Sequence, residues 1–439
     1  MNRVSVLRFL QENGLYVGLV LSIGLILLGV FPVRNKNPYV ALIPPQRVEG
    51  MQCRILSNPV RTSSGKYYRC RGAIESVEGM VNNTQIISSG KGVVTLYIPS
   101  QIVELYYPGK LYSRYGTADN HGKLFMVEQG ARFYFFAFYA EPLDAPLSYV
   151  PPPTYYVTEA RPLGFSPGFW GTVAYFRGLC RLEFKRLLYG WGEAGGLLLA
   201  LLSGSGEYTD TMVRDNFRKA GLAHVLALSG MHVAFVSGII LSLLGWSGKY
   251  LSQVLAVPAV VLFVWFAGFT PSLLRALICA LLGVYFRISG TKVSMLKILC
   301  LSFFIHVVIS SEDLLEISFM LSYLALAGIL IIGPLVEPFF YRYFPALMAS
   351  SFSASFGAQA LTAPVTLGTF GYLVPGGIPA SLVVSPLISI FFIAGVVCIV
   401  LAMVFPILPP MLGVIVKLLY TFAVIPVNFF SKIPALEFL

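Results

Sequence analysis

The feature that most constrains this chain is a series of long apolar runs that begins at residue 222. The runs are 222–245, 251–269, 271–288, 294–310, 317–336, 345–371 and 376–404, and an eighth, 411–430, contains Lys417. A helix needs about 20 apolar residues to cross about 30 Å of hydrocarbon. The sequence therefore predicts a polytopic α-helical membrane protein, with seven spans here and an eighth segment that either spans the membrane or lies in its interface.

The composition excludes the common soluble classes. Of the 439 residues, 56% are hydrophobic and 12% are charged, whereas a soluble domain is about 25% charged. The apolar fraction is too high for a disordered chain, and six cysteines are too few for a disulfide scaffold. The net charge of +11 is spread along the chain without a run of like charge, so by itself it is a weak indication of nucleic-acid binding.

Residues 1–33 predict a membrane anchor. The stretch 15–33 has no charge and follows Arg3 and Arg8, and it has nearly the length of a spanning helix. A secretory signal peptide is the alternative, but no small-residue cleavage site follows the apolar stretch. We therefore expect the anchor to remain uncleaved.

Residues 34–150 predict a small β domain. Charges, glycine and proline return in this region, and the stretches 93–98 and 132–139 have the β-branched and aromatic composition of strands. The stretches 63–65 and 119–122 predict turns. Short strands separated by turns indicate a β-barrel or a β-sandwich.

Cys53 and Cys70 flank the first of these turns. If the β domain faces an oxidising compartment, they are candidates for a disulfide between neighbouring strands. Two unpaired thiols are the alternative, and the sequence leaves both open.

Residues 151–221 predict a linker and an interfacial helix. Five prolines within 151–168 predict an extended linker. In the segment 172–189, helical spacing separates two faces. One face holds Phe176, Leu179, Cys180 and Leu187, and the other holds Arg177, Arg181, Lys185 and Arg186. Such a basic amphipathic helix is typical of a membrane interface.

Charges in the short loops predict the orientation of the helices. The loops on one side carry Lys249, Arg287, Lys292, Lys297 and Arg342, and the opposite loop carries Glu312, Asp313 and Glu316. Cytoplasmic loops have an excess of Lys and Arg, so the basic loops are predicted to be cytoplasmic. This orientation makes residues 34–221 extracytoplasmic.

A polar cluster interrupts the first apolar run. His224, Ser229 and His232 lie at bilayer depth, and Gly230 follows Ser229. Polar groups are costly there and usually face a cavity, and a broken helix near the membrane centre commonly builds a transport site. Close helix packing with interhelical hydrogen bonds is the alternative.

Two enzymatic interpretations of this cluster are weaker. His224 and His232 lack the i, i+4 spacing of a helical metal pair, and no nearby Cys, Asp or Glu completes a ligand set. Ser229 and His232 lack the carboxylate that orients a catalytic histidine. The sequence therefore predicts no metal, no cofactor and no catalytic residue. It also contains no phosphate-binding loop of the GxxxxGKS or GxxxxGKT type.

Arg275 is a second candidate in the membrane. It follows Pro271 and lies about one turn into a predicted span, so it must snorkel, pair with another group or face an aqueous path. A guanidinium binds phosphate oxygens in a fork. Arg275 and the polar cluster around Ser229 are therefore both candidates for a substrate path. Ser322, Gln359 and Pro364 are further polar or helix-breaking candidates along that path.

The run AGLAHVLALSGMHV resembles the signature of the ComEC-type competence proteins, the inner-membrane channels of bacterial DNA uptake. Three further stretches agree in order: AGFTPSLLRALICALL, EISFMLSYLALAGIL and AQALTAPVTLGTFGYLVPGGIPASLVVSPL. The resemblance covers about residues 165–430. It implies that 222–439 form the multi-helix channel domain and that 34–150 form the extracytoplasmic OB-like domain, a small β-barrel, that family members carry.

The resemblance also implies passage of single-stranded DNA across the cytoplasmic membrane, with His224, Ser229, Gly230, His232 and Arg275 along or beside the conduit. Aromatic residues of the β domain would be either stacking surfaces for bases or core residues. They are Tyr106, Tyr107, Tyr112, Tyr115, Phe133, Tyr134 and Phe135. The implied partners are the lipid bilayer, a DNA receptor, a helicase-type motor and a separate nuclease, and a homo-oligomer is compatible with the sequence.

Many family members continue into a cytoplasmic domain that resembles metallo-β-lactamases. Its His-x-His-x-Asp-His ligand run does not occur in this sequence, so we expect a short form that is not itself an enzyme. Three alternatives remain open: a transporter or channel for another solute, an intramembrane hydrolase that uses Ser229 and His232, and a structural envelope protein.

Overall fold

The computed structural model contains two compact units. Its described residues are 38–62, 64–81, 84–106, 126–141, 152–204, 209–226, 230–243, 245, 248–405, 407–433 and 436–437. One unit contains the described residues up to 199, and the other contains those from 200 onward. The predicted anchor over 1–33 and the predicted turn over 119–122 lie outside the described residues.

The first unit is built on a sheet of seven described strands. They are β1 (Val48–Ile55), β2 (Val60–Arg61), β3 (Tyr67–Val81), β4 (Thr84–Ser89), β5 (Val93–Pro99), β6 (Ala131–Ala140) and β7 (Thr154–Phe165), and a short helix, α1 (Ser100–Tyr106), follows β5. β1 pairs with β6, β6 with β7, β7 with β5, β5 with β3, and β3 again with β1, so these pairings form a closed cycle. Within the cycle the β5–β7 pair is parallel and the other pairs are antiparallel. β2 and β4 each pair with β3.

Alternation along the strands builds the core of this unit. Val94, Leu96 and Ile98 of β5 are buried, and so are Phe133 and Phe135 of β6. Successive side chains of a strand point to opposite faces, so the residues between these positions face outward. The strands predicted at 93–98 and 132–139 are confirmed as β5 and β6.

The structure corrects the predicted linker over 151–168, because most of it is strand β7. β7 pairs with β6 along its whole length, and Pro162 faces Phe133 beside a shift in register. Proline cannot donate a ladder hydrogen bond and occurs at edges and bulges, so the irregularity accommodates it. The other four prolines lie outside β7 and do not interrupt it.

Helix α2 (Phe169–Tyr189) separates the two predicted faces but buries the basic one. Arg181 Nε lies 3.0 Å from Oε2 of Glu128, and Lys185 Nζ lies 3.1 Å from Oε1 of the same carboxylate. These three side chains are at most 5% exposed, whereas Phe176 is 64% exposed. Burial of these basic side chains is possible because the Glu128 carboxylate compensates their charge. The interfacial position of this helix stays a prediction.

The second unit is helical. Its helices are α3 (Gly192–Ser203), which begins in the first unit, α4 (Thr211–Lys219), α5 (Ala223–Leu226), α6 (Gly230–Leu243), α7 (Lys249–Ala267), α8 (Pro271–Ile288), α9 (Met295–Ile309), α10 (Ile317–Tyr341), α11 (Ala346–Phe370), α12 (Gly377–Val404) and α13 (Pro409–Phe430). A short ladder pairs β8 (Tyr372–Leu373) with β9 (Leu436–Glu437). Among the described helices, α8, α10, α12 and α13 are long and apolar enough to cross a membrane, and α3, α6, α7 and α9 contain shorter apolar stretches. The total number of spans stays a prediction.

Glycine allows α10 and α11 to approach closely. A Cβ atom on Gly357 would lie 2.5 Å from the carbonyl oxygen of Gly328 and 2.8 Å from the amide nitrogen of Gly333. Small residues permit such close backbone contact between membrane helices. These two helices therefore pack backbone against backbone at this point.

Candidate functional site

The start of α8 places an arginine inside the helical unit. The Thr270 hydroxyl accepts a hydrogen bond from the amide of Leu273, and Pro271 is the first residue of the helix. Proline suits this position because the first N–H groups of a helix have no intrahelical partner. Arg275 follows about one turn later, and it is 8% exposed. The start of the predicted run at residue 271 therefore coincides with the start of α8.

The Arg275 guanidinium lies between α6 and α10. A Cβ atom on Gly230, the first residue of α6, would be 3.0 Å from Nη2 of Arg275. On the other side, Cζ of Arg275 lies 6.0 Å from the centroid of the Tyr323 ring. Within the part of the chain that the structure describes, Arg275 Nε has no hydrogen-bond partner. A buried donor left unsatisfied costs about 1–3 kcal/mol, and a phosphate or carboxylate oxygen is a strong acceptor for it.

His232 lies two residues after Gly230 and contacts α12. Its side chain is fully buried, and its ring centroid is 5.2 Å from that of Phe392 in an edge-to-face arrangement. Helices α6 and α8 share one apolar core. Three sequence candidates, Gly230, His232 and Arg275, therefore belong to one pair of packed helices.

A polar network beside Arg275 was missed by the sequence reasoning. His306 on α9 contacts Asp313 through Nε2 at 3.0 Å and the Tyr323 hydroxyl through Nδ1 at 3.3 Å. The Ser302 hydroxyl lies 3.4 Å from the same tyrosine oxygen. Because the Tyr323 ring also faces Arg275, the network extends from the turn that holds Asp313 to the guanidinium. A histidine inside an apolar run, followed seven residues later by an aspartate, is the sequence signal that could have found it.

Gln359 on α11 places a second polar side chain within the helical unit, next to the start of α12. A Cβ atom on Gly377, the first residue of α12, would be 3.2 Å from Nε2 of Gln359. Gly221 has a φ of +74°, and a Cβ atom there would be 2.9 Å from Cα of Gly377. Glycine is needed at 221 because only this residue adopts a positive φ without strain. The close approach of the two glycines brings the start of α12 next to Gln359.

Other sequence candidates lie elsewhere. His224 is exposed on α5, Ser322 is half-buried on α10, and Pro364 is exposed within α11. No described hydrogen bond or ring contact joins these three to Arg275. Ser229 lies outside the described residues. Among the described residues there is also no group of three or more His, Cys, Asp or Glu side chains arranged to hold a metal ion.

The structure does not contain the disulfide that was a candidate from the sequence. Cys53 and Cys70 are both buried with free thiols. In the register of the sheet Cys53 faces Ile74 and Cys70 faces Leu96, so the two cysteines are not cross-strand neighbours. Burial raises the pKa of the Cys70 thiol to about 12 and also raises the pKa of the Cys53 thiol.

The helices and the buried polar groups together define the class of protein. Long apolar helices that enclose an arginine and a histidine–aspartate pair are those of a membrane protein. The model of the competence protein family matches residues 201–438, more than half of the chain. The chain therefore belongs to this family, and it is a competence protein of the ComEC type.

The chain is also similar to ComE operon protein 3 of Bacillus subtilis (strain 168), with 29% identity over 135 residues. The match covers 30% of this chain and 17% of that protein, so the chain spans a small part of the relative's length. No solved structure matches the chain.

Proposed function

We propose that this chain conducts single-stranded DNA across the bacterial cytoplasmic membrane during competence. Membership of the competence protein family and similarity to a ComE operon protein support a role in DNA uptake. The observation that carries the finer proposal is Arg275. Its guanidinium is buried among apolar helices next to Gly230, and its Nε atom has no hydrogen-bond partner in the described part of the chain.

A buried guanidinium suits a phosphate group that must bind and then leave. Arginine holds phosphate oxygens in a fork, and a conduit requires binding that favours entry without preventing exit. The Tyr323 ring beside Arg275 adds an aromatic surface on which a base can stack. We infer that His232 and Gln359 line the same polar path.

The charges at the two ends of α9 support the orientation. Lys292 and Lys297 lie at or before its first turn, whereas Asp313 follows its last residue. Because cytoplasmic loops have an excess of Lys and Arg, we propose that the start of α9 is cytoplasmic. Residues 34–221 are then extracytoplasmic, where incoming DNA arrives.

The strand pairings support an OB-like first unit. The OB fold is a five-stranded Greek-key barrel that binds oligonucleotides and oligosaccharides. In the first unit, β1, β3, β5, β6 and β7 pair in a closed cycle, and β5 runs parallel to β7. Each of these five strands therefore has two partners within the cycle, as in a barrel. We propose that this unit binds the DNA strand before the helical unit does.

The proposal makes the chain a conduit and not an enzyme. A DNA receptor, a helicase-type motor and a separate nuclease would act with it, and the chain would work as a single copy or as a homo-oligomer in the lipid bilayer.

DNA uptake in a deletion strain tests the proposal. We expect the wild-type gene to restore transformation, and Arg275→Gln to lower it by more than about tenfold. The reason is that a hydrogen bond to a charged group contributes about 1.5–3 kcal/mol, and 1.4 kcal/mol is tenfold. His232→Ala should also lower it. Arg287→Gln is the matched control, because Arg287 is exposed near the other end of α8.

Uptake that remains intact in the deletion strain would overturn the proposal. A transporter for another solute is then the favoured function if the purified protein also binds no single strand at low salt. A DNA conduit should bind with an affinity that falls as salt increases, because phosphate contacts release counterions.

A further inference from the structure

A row of stacked aromatic residues on the outer face of the first unit contains none of the aromatic residues singled out from the sequence. Phe133 and Phe135 belong to the core, and the Tyr134 hydroxyl donates a hydrogen bond to Glu78. Tyr107, Tyr112 and Tyr115 lie outside the described residues. A different set, Tyr97, Tyr156 and Phe138, forms a continuous row on the outer face of the sheet.

The register of three neighbouring strands builds this row. Tyr97 on β5 faces Tyr156 on β7, and Tyr156 faces Phe138 on β6. The ring centroids are 5.0 Å apart in the first pair and 5.6 Å apart in the second, and the interplanar angles are 20° and 14°. Tyr67 on β3 adds an edge contact to Tyr156 at 5.2 Å. The three rings are therefore stacked across the strands.

The two ends of the row differ in chemistry. Phe138 ends the stack and is 55% exposed. At the other end, Arg69 on β3 is exposed and faces Tyr97 in the register. Because neighbouring strands are about 4.7–4.9 Å apart, the row from β3 to β6 is roughly 14 Å long. It thus joins a cation to an open aromatic surface on one face of the sheet.

We propose that this row, Arg69–Tyr97–Tyr156–Phe138, binds single-stranded DNA, with a base stacked on Phe138 and a backbone phosphate at Arg69. The inference rests on the proposed function and names the binding surface for it. Surfaces that bind single strands combine stacking rings with cations that contact the backbone. The net charge of +5 over residues 34–161 favours a polyanion over a neutral oligosaccharide as the occupant.

The test uses the full-length protein in detergent and two labelled probes. One probe is a short oligothymidylate, and the other is an abasic strand of the same length. We expect Phe138→Leu to weaken oligothymidylate binding by about 5- to 150-fold, which corresponds to about 1–3 kcal/mol for the loss of one base–aromatic stack. Binding of the abasic strand should not change, because it has no base to stack. Phe138→Trp should retain wild-type affinity for both probes.

Two further variants complete the design. Phe176→Leu removes a ring that is also more than half exposed, on α2 and outside the row, and should leave both affinities unchanged. Arg69→Ala should weaken the binding of both probes. It should also reduce the slope of log affinity against log salt concentration by about 0.7, the value for one phosphate contact on a single strand.

Unchanged oligothymidylate affinity in Phe138→Leu would overturn the assignment of this row. If Arg275→Gln still prevents uptake in cells, the conduit proposal would stand without DNA binding by the aromatic row. Binding of a neutral oligosaccharide in place of DNA, with an affinity independent of salt, would also overturn the inference.

Discussion

Gly230 is the residue on which the geometry around Arg275 depends most directly. A Cβ atom at this position would lie 3.0 Å from Arg275 Nη2 and 3.5 Å from the Cβ atom of Ala276. The first contact is with the end of a flexible side chain. A methyl group therefore requires only a small shift of the guanidinium, whereas a larger side chain must displace it.

We expect Gly230→Leu to abolish DNA uptake and Gly230→Ala to retain part of it. Ser229→Ala should keep wild-type uptake, because the proposed conduit uses the space beside Gly230 and no nucleophile. Transformation frequency, normalised to the amount of protein in the membrane, measures both effects. Loss of uptake in Ser229→Ala together with an active Gly230→Leu would favour the intramembrane hydrolase.

The cysteines of the first unit give a second prediction at the scale of residues. Cys180 is exposed, whereas Cys53 and Cys70 are buried. Since burial raises the pKa of both buried thiols and the thiolate is the reactive form, alkylation of the folded protein should modify Cys180 alone among these three. Unfolding without reductant should make Cys53 and Cys70 reactive, as mass spectrometry would detect. If Cys53 and Cys70 react only after reduction, the two residues form a disulfide, which contradicts their assignment as free thiols.

At the scale of elements, the packing of α2 depends on one carboxylate. Glu128 pairs with Arg181 and Lys185, and all three side chains are buried. Removing one partner of a buried ion pair costs about 3–5 kcal/mol because it leaves an uncompensated charge. An exposed pair such as Arg161–Glu159, in which both side chains are more than half exposed, contributes about 0–1 kcal/mol.

We therefore expect Glu128→Ala to lower the free energy of unfolding by about 3–5 kcal/mol, and Glu159→Ala to change it by less than about 1 kcal/mol. Denaturant unfolding, followed by the fluorescence of Trp191, which is buried two residues after α2, measures the difference. Equal effects of the two substitutions would contradict the role of the buried carboxylate.

Elements were predictable from the sequence where one local pattern decides the structure. An apolar run of about 20 residues has few alternatives to a helix, so α8 was expected at its observed start. Contacts between distant segments were not predictable, because no local pattern places Glu128 next to Arg181, 53 residues away. Alternation explains the missed aromatic row, since it buries Phe133 and Phe135 while Phe138 in the same run faces outward.

At the scale of the whole molecule, the two units have complementary chemistry. The first presents stacked rings and an exposed cation on the outer face of its sheet. The second encloses a guanidinium between apolar helices, beside the network of His306, Asp313 and Tyr323. Under the proposed function, the first unit would capture a single strand from solution, and the second would pass its phosphates through a membrane.

The most direct test follows labelled donor DNA in living cells. Label that enters as a single strand becomes resistant to nuclease added outside the cell, whereas label that is only bound at the surface does not. We predict protected single-stranded label in cells with wild-type protein or Arg287→Gln, and surface-bound, nuclease-sensitive label in cells with Arg275→Gln. Wild-type amounts of protected label with Arg275→Gln, at equal protein abundance in the membrane, would contradict passage of the strand beside Arg275.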